Sequence, residues 1–386
     1  AMENLLDYVK SVSQSPFSSL PLTDLDFALF NELGYLSLID YFQKDMKQEV
    51  SITISDWLPI FQRTKPNLHF TFLNTKERIE LFEAVLNSKR YQQVTISSYV
   101  NDIDTEFERQ FAAMVFSIPE ENCNQVVFRG TDDSLIGWKE DFKLTYMREI
   151  PAHRAAILYL KNILPGLSGR VIVSGHSKGG NLAIYAAAHL PKSLREKIDL
   201  LYMFDAPGFR QNFLQTQGYL AIREKIISIK PFESVVGVML ESDCKEQIVA
   251  SKDKGMAQHL MMNWAVNTGK GQFECITQLS SMSQNLEKTF ATWNESLSHY
   301  ELKNLFDLLF DQLIDHGLTS LDDFSVKNPL EMTKYIDVYK ALSPQQKQTF
   351  TKAVHLFIQA YRSNALNSRK TSFSSILTKW QQTKSD

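Results

Sequence analysis

Cysteine is scarce in this chain. Cys123, Cys244 and Cys275 are scattered, odd in number and without metal-ligand spacing. That excludes a disulfide-stapled scaffold and a cysteine-built zinc site, and it fits a reducing compartment. Long apolar runs are missing too: none reaches the ~18–20 residues that a spanning helix needs. The opening stretch AMENLLDYVKSVSQSPF has neither the basic start nor the apolar core of a secretory leader. Charge of one sign is not concentrated anywhere. The formal net charge is −3 with no Lys/Arg block, so no footprint for nucleic acid is present. Only 15 of 386 residues are glycine, and no repeat or low-complexity tract interrupts the sequence. What is there is apolar: 44% of the chain, ample for a core, in one large domain or two ordinary ones. The expectation is a globular cytoplasmic protein.

The most informative stretch is Arg170 to Leu190, RVIVSGHSKGGNLAIYAAAHL. A β-branched run (Val171, Ile172, Val173) passes through Gly175-His176-Ser177-Lys178-Gly179 into an alanine-rich segment. Strand, G-x-S-x-G, helix is the order in which the pentapeptide acquires meaning. A serine at the tip of such a turn sits in strained dihedrals, and a Cβ two residues to either side would clash, so Gly175 and Gly179 fit. Beyond the turn, the first helical N–H groups lack intrahelical partners and suit a developing oxyanion. Lys178, in that first turn, opposes the helix dipole. If its side chain faces the site, an anionic acyl or head group would be favoured.

The rest of the chain surrounds this unit. Leu25 to Ile39 reads as an amphipathic helix capped by Thr23 or Asp24, and Lys76 to Lys89 as another. Asp102 to Glu106 reads as a loop or a helix start. Phe111–Ile118 and Gln125–Phe128, joined by a polar loop, read as a hairpin. A helix over about 152–164 leads into the Arg170 strand. Further strands are expected at Leu200–Phe204, Lys225–Ile229 and Gln247–Ser251, with a helix at Pro191–Lys197. This alternation predicts a mostly parallel central sheet with helices on both faces. From about residue 283 the pattern is helical throughout, giving an expected division at 1–282 and 283–386. Leu302, Leu305, Phe306, Leu309 and Leu313 form one stripe, and Phe350, Val354, Phe357, Ile358 and Tyr361 another, both read as core. Ser343, Pro344 and Gln346 mark a capped helix start.

A serine hydroxyl needs a base, and the base an orienting acid, in the chain order serine, acid, histidine. His189 lies at the far end of the elbow helix, roughly 18 Å from the serine at 1.5 Å per residue. His299, His316 and His355 fall in the helical extension, which leaves His259, in a loop after the last expected strand. Two carboxylates compete for the third role. Asp205 ends the strand after the elbow helix, and Glu233 follows the next one. Asp205 is preferred.

Phe128-Arg129-Gly130-Thr131, followed by Trp138 and Asp141, resembles the corresponding segment of class 3 (fungal-type) lipases. Together with the elbow it also resembles a bacterial family of lipase-like α/β-hydrolases without assigned substrates. The likeness spans roughly 107–210 and extends more loosely to His259. It implies the α/β-hydrolase fold, with Thr131 on the oxyanion loop beside the backbone N–H of Lys178. Where class 3 lipases carry their catalytic aspartate, this chain has Glu233-Ser234, a departure that directs attention to Asp205. The expected activity is hydrolysis of a small-molecule or lipid carboxylic ester by Ser177, His259 and Asp205, without metal or organic cofactor. The alternatives are a non-catalytic scaffold of the same fold and a serine acyltransferase.

Overall fold

Side chains along the central strands alternate between two separate cores. Val171 and Val173 belong to one and Ile172 to the other, as the period of two in a pleated strand requires. The structure is a computed structural model that describes residues 2–36, 51–68, 75–104, 109–132, 135–316 and 332–382. Its strands are β1 Ile52–Thr53, β2 Thr95–Asp104, β3 Arg109–Ile118, β4 Cys123–Phe128, β5 Arg170–His176, β6 Leu200–Phe204, β7 Ile226–Pro231 and β8 Glu246–Val249. Three short ones follow, β9 Val266–Asn267, β10 Gln272–Phe273 and β11 Cys275–Ile276.

The main sheet runs β1-β2-β3-β4-β5-β6-β7-β8-β11, and β9 pairs with β10 separately. The centre, β4 to β8, is parallel. Both flanks are antiparallel, β1 to β4 on one side and β11 on the other, so the sheet as a whole is mixed. Parallel neighbours need a crossover. Helix Pro151–Ile163 precedes β5, helix Lys178–Ala188 links β5 to β6, and helix Gln217–Ile222 precedes β7. Helices Leu5–Val12, Asp24–Leu33, Ile54–Thr64 and Lys76–Asn87 cover the other face through Phe30, Trp57 and Phe82. This is the α/β-hydrolase arrangement, with every parallel strand delivering its carboxyl end to one edge of the sheet.

Local signals hold where they are local. Thr23 caps its helix in a capping box with Asp26, and Ser343 does the same with Gln346. The first of these helices ends at Leu33, short of the expected Ile39, and Leu38 and Ile39 lie outside the described residues. The stretch at Asp102 is not a loop: Asp102 pairs with Phe111 and Ile103 with Gln110, extending β2 along β3. Glu106 lies outside the described residues. The C-terminal helices Ser281–Ser296, His299–Asp315, Met332–Ala341 and Pro344–Gln382 share a cluster built on Leu302, Phe306 and Phe310. Trp138, Phe142 and Tyr146 of the hydrolase region join it. The second stripe is core only in part, since Val354 and Ile358 remain 41% and 43% exposed.

One buried charge cluster anchors the N-terminal helices. Asp26 is fully buried and accepts from Tyr8 Oη at 3.1 Å, Tyr91 Oη at 2.6 Å and Arg90 Nη2 at 3.1 Å. Removing one partner of a buried ion pair strands the other in low dielectric. Asp26→Ala should therefore cost about 3–5 kcal/mol in urea unfolding. A loss below about 1 kcal/mol would show that the cluster is solvated.

Candidate active site

The site is assembled at the carboxyl ends of β4, β5 and β6. Ser177 follows β5 with φ 59° and ψ −134°, a conformation L-residues seldom adopt. Its N–H donates to the Phe204 carbonyl at 3.0 Å, and its own carbonyl accepts from Gly180 at 3.0 Å, so the turn is pinned on both sides. The neighbouring glycines have no freedom to be anything else. A Cβ on Gly175 would overlap the Gly179 backbone, and one on Gly179 would overlap the Phe128 carbonyl.

Asp205 follows β6 directly, at φ 45°, and is completely buried. Its Oδ2 accepts from His259 Nδ1 at 2.6 Å, while Oδ1 accepts from Ser234 Oγ at 2.6 Å and the Gly237 N–H at 3.1 Å. His259 closes a short 3-10 turn, Gly255–His259, after β8. With Nδ1 holding the proton toward Asp205, the Nε2 lone pair is left to accept one. Glu233 does something else. It accepts from the Gly255 N–H at 2.6 Å, and its own N–H donates to Gln258 Oε1 at 2.7 Å. It braces the loop that carries His259.

His176 ties the elbow to that loop. Its ring stacks on His259 with centroids 4.4 Å apart, and its Nε2 donates to the His259 carbonyl at 2.8 Å. Nδ1 then accepts from Tyr35 Oη at 2.7 Å, which fixes the tautomer. Burial, then the neighbouring His259, holds His176 well below the usual imidazole range, so the ring is neutral.

The segment after β4 packs against the elbow. Gly130 lies so close to the elbow that an added Cβ would be 3.1 Å from Ser177 Cβ. Thr131 follows, its hydroxyl donating to Asp141 Oδ2. Burial pushes Asp141 up to about 6, opposed by Lys178 and by the Thr131 hydrogen bond. The Lys178 side chain does not face a substrate. Only 1% exposed, its ammonium donates to Glu140 Oε1 at 2.9 Å and the Gln110 carbonyl at 3.0 Å, with Asp141 Oδ1 at 3.7 Å. Burial pushes it down, but Glu140 and Asp141 more than offset that, leaving it above its ordinary value. Its charge is neutralised internally, which removes the basis for expecting an anionic acyl or head group.

Residues 85–311, more than half of the chain, match the model of the Mbeg1-like family. The chain belongs to the Mbeg1-like family. No curated protein matches it. Among solved structures it is similar to a Rhizomucor miehei lipase in its propeptide complex, at 15% identity and TM-score 0.35, over 60% of this chain and 70% of that one. It is also similar to a triacylglycerol lipase from Penicillium expansum, at 14% identity and TM-score 0.29, over 48% and 81% of the two chains. Lip2 lipase from Yarrowia lipolytica matches at 14% identity and TM-score 0.27, over 46% and 75%.

The Mbeg1-like segment contains Thr131, Ser177, Asp205 and His259, whereas Tyr35 precedes it. Sequence reading passed over the supporting groups Tyr35, His176, Ser234 and Glu140. Of these only His176 carries a visible signal, its place inside G-x-S-x-G. The elbow strain itself is testable. Glycine tolerates Ser177's backbone and alanine does not, so Ser177→Gly should stabilise the fold by about 1 kcal/mol or more while Ser177→Ala leaves it nearly unchanged. Equal stabilities in thermal unfolding would mean that the turn stores no strain.

Proposed function

We propose that this lipase-like α/β-hydrolase is a serine esterase acting on small-molecule or lipid carboxylic esters. The observation that carries the reading is the His259–Asp205 hydrogen bond of 2.6 Å, with the His259 ring stacked on His176, the residue that precedes the serine on the strained elbow. Ser177 Oγ attacks the ester carbonyl while His259 Nε2 takes its proton. Asp205, held by Ser234 and Gly237, keeps the imidazole in its tautomer and stabilises the imidazolium. The tetrahedral oxyanion is bound by backbone N–H groups of Thr131 and Lys178, the latter in the first turn of the elbow helix. His259 then protonates the leaving alcohol, and water repeats the sequence on the acyl-enzyme.

The Thr131 hydroxyl and the Lys178–Glu140 pair hold the two oxyanion donors in place from beneath, so they position and do not react. The three cysteines are all unpaired, which supports a cytoplasmic setting. Among the described residues no helix is long and apolar enough to cross a membrane. A non-catalytic scaffold would have no use for an acid held by three groups.

A p-nitrophenyl ester series tests the assignment, with Ser177→Ala as the inactive control. Asp205→Asn should lower kcat about 10⁴-fold with little change in stability. Glu233→Gln should cost only a few-fold, through the loop it braces. The reverse ranking would move the acid to Glu233, and full activity in Ser177→Ala would remove the serine from the mechanism.

A further inference from the structure

The helix that begins at the elbow walls a second site on its later turns. Asn181, Tyr185 and His189 follow at four-residue spacing and share one face. That face borders a cavity of about 370 Å³, which Ser177, Asp205 and His259 do not line. The volume falls within the ~300–1,000 Å³ typical of small-molecule sites.

The wall is aromatic. Tyr185 stacks on His189 at 4.1 Å and on Phe213 at 5.4 Å, and Phe209 stacks on Phe213 at 4.6 Å. The base is polar but neutral. Burial pushes His153 down to about 4. Its Nδ1 accepts from the Ile150 N–H at 3.0 Å, so Nε2 donates to Asn181 Oδ1 at 2.7 Å.

The charge is all of one sign. Arg148 and Arg210 line the cavity and no carboxylate does. Arg148 is exposed, and among the described residues it has no hydrogen-bond or ion-pair partner. Arg210 gives Nη1 to His299 Nε2 at 2.9 Å and Nη2 to the Thr145 carbonyl at 2.7 Å, neither of them anionic, and its buried Nε has no partner. Burial, then the charge of Arg148, holds the Arg210 guanidinium below its ordinary value. Two guanidinium groups border an apolar wall, and the nearby carboxylate, Glu149, is already engaged by Tyr185 Oη and Arg154. Such groups bind carboxylate and phosphate oxygens strongly.

We propose that this cavity binds an anionic amphiphile, a short acyl or aryl body carrying a carboxylate or phosphate, with the body against Phe209, Phe213 and Tyr185 and the charge on Arg148 and Arg210. The proposal does not depend on Ser177 being a nucleophile.

Titration calorimetry on the 386-residue Ser177→Ala chain separates binding from turnover, with octanoate, octyl phosphate and octanol as probes. At least one of the two anions should bind in 1:1 ratio, and octanol at least tenfold more weakly. Which anion binds more tightly identifies the head group. Because Arg148 is exposed, Arg148→Gln should fold normally and weaken the anion about tenfold, and Arg148→Glu should abolish binding. No heat from either anion, octanol binding as tightly as the anions, or affinities unchanged in both Arg148 variants would each overturn the site.

Discussion

The Phe128 carbonyl occupies the space that a side chain on residue 179 would need. That close approach of β4 to the first turn of the elbow helix sets the rest of the site. It brings the Phe128–Thr131 segment alongside Ser177, on the same edge of the sheet. It also leaves the helix no entry except the strained one, with Ser177 at φ 59°. The parallel order of β4 to β8 then supplies the remaining groups. Asp205 follows the end of β6, and the chain after β8 brings His259 to it.

Two buried interactions hold this arrangement against its own electrostatics. A lysine in the first turn of a helix opposes the macrodipole, and the chain answers with Glu140 at 2.9 Å from the ammonium. Glu140 is in turn fixed by the Gln110 and Ala152 N–H groups, so one carboxylate joins β3, helix Pro151–Ile163 and the elbow helix. On the other side a neutral His176 hydrogen-bonds the His259 carbonyl while its ring lies against the His259 ring. A charged His176 would set a positive charge against the His259 ring, and burial keeps it neutral.

How much of this was legible depends on sequence distance. The elbow, the β3–β4 hairpin and the capping box at Ser343 are encoded within a few residues and could be read directly, and the structure chooses Thr23 over Asp24 as the other cap. The Asp102 end of β2 could not: its side chains are polar, and it is a strand only because β3 pairs with it. The direction of Lys178 was equally hidden, because its partner Glu140 lies 38 residues upstream. Asp205 and Glu233 both follow strands, and sequence alone could rank them only by preference. What separates them is that Ser234 and Gly237 turn back onto Asp205, whereas Glu233 is committed to the Gly255 N–H.

The central claim is that Ser177 is an activated nucleophile, and covalent labelling tests it without any assumption about substrate. A fluorophosphonate probe should modify the chain once, with the adduct mapped by mass spectrometry to the peptide containing Ser177. His259→Ala should slow labelling by orders of magnitude in a chain that still unfolds cooperatively. No adduct on the folded wild-type chain, or an adduct at another residue that persists in Ser177→Ala, would contradict the account.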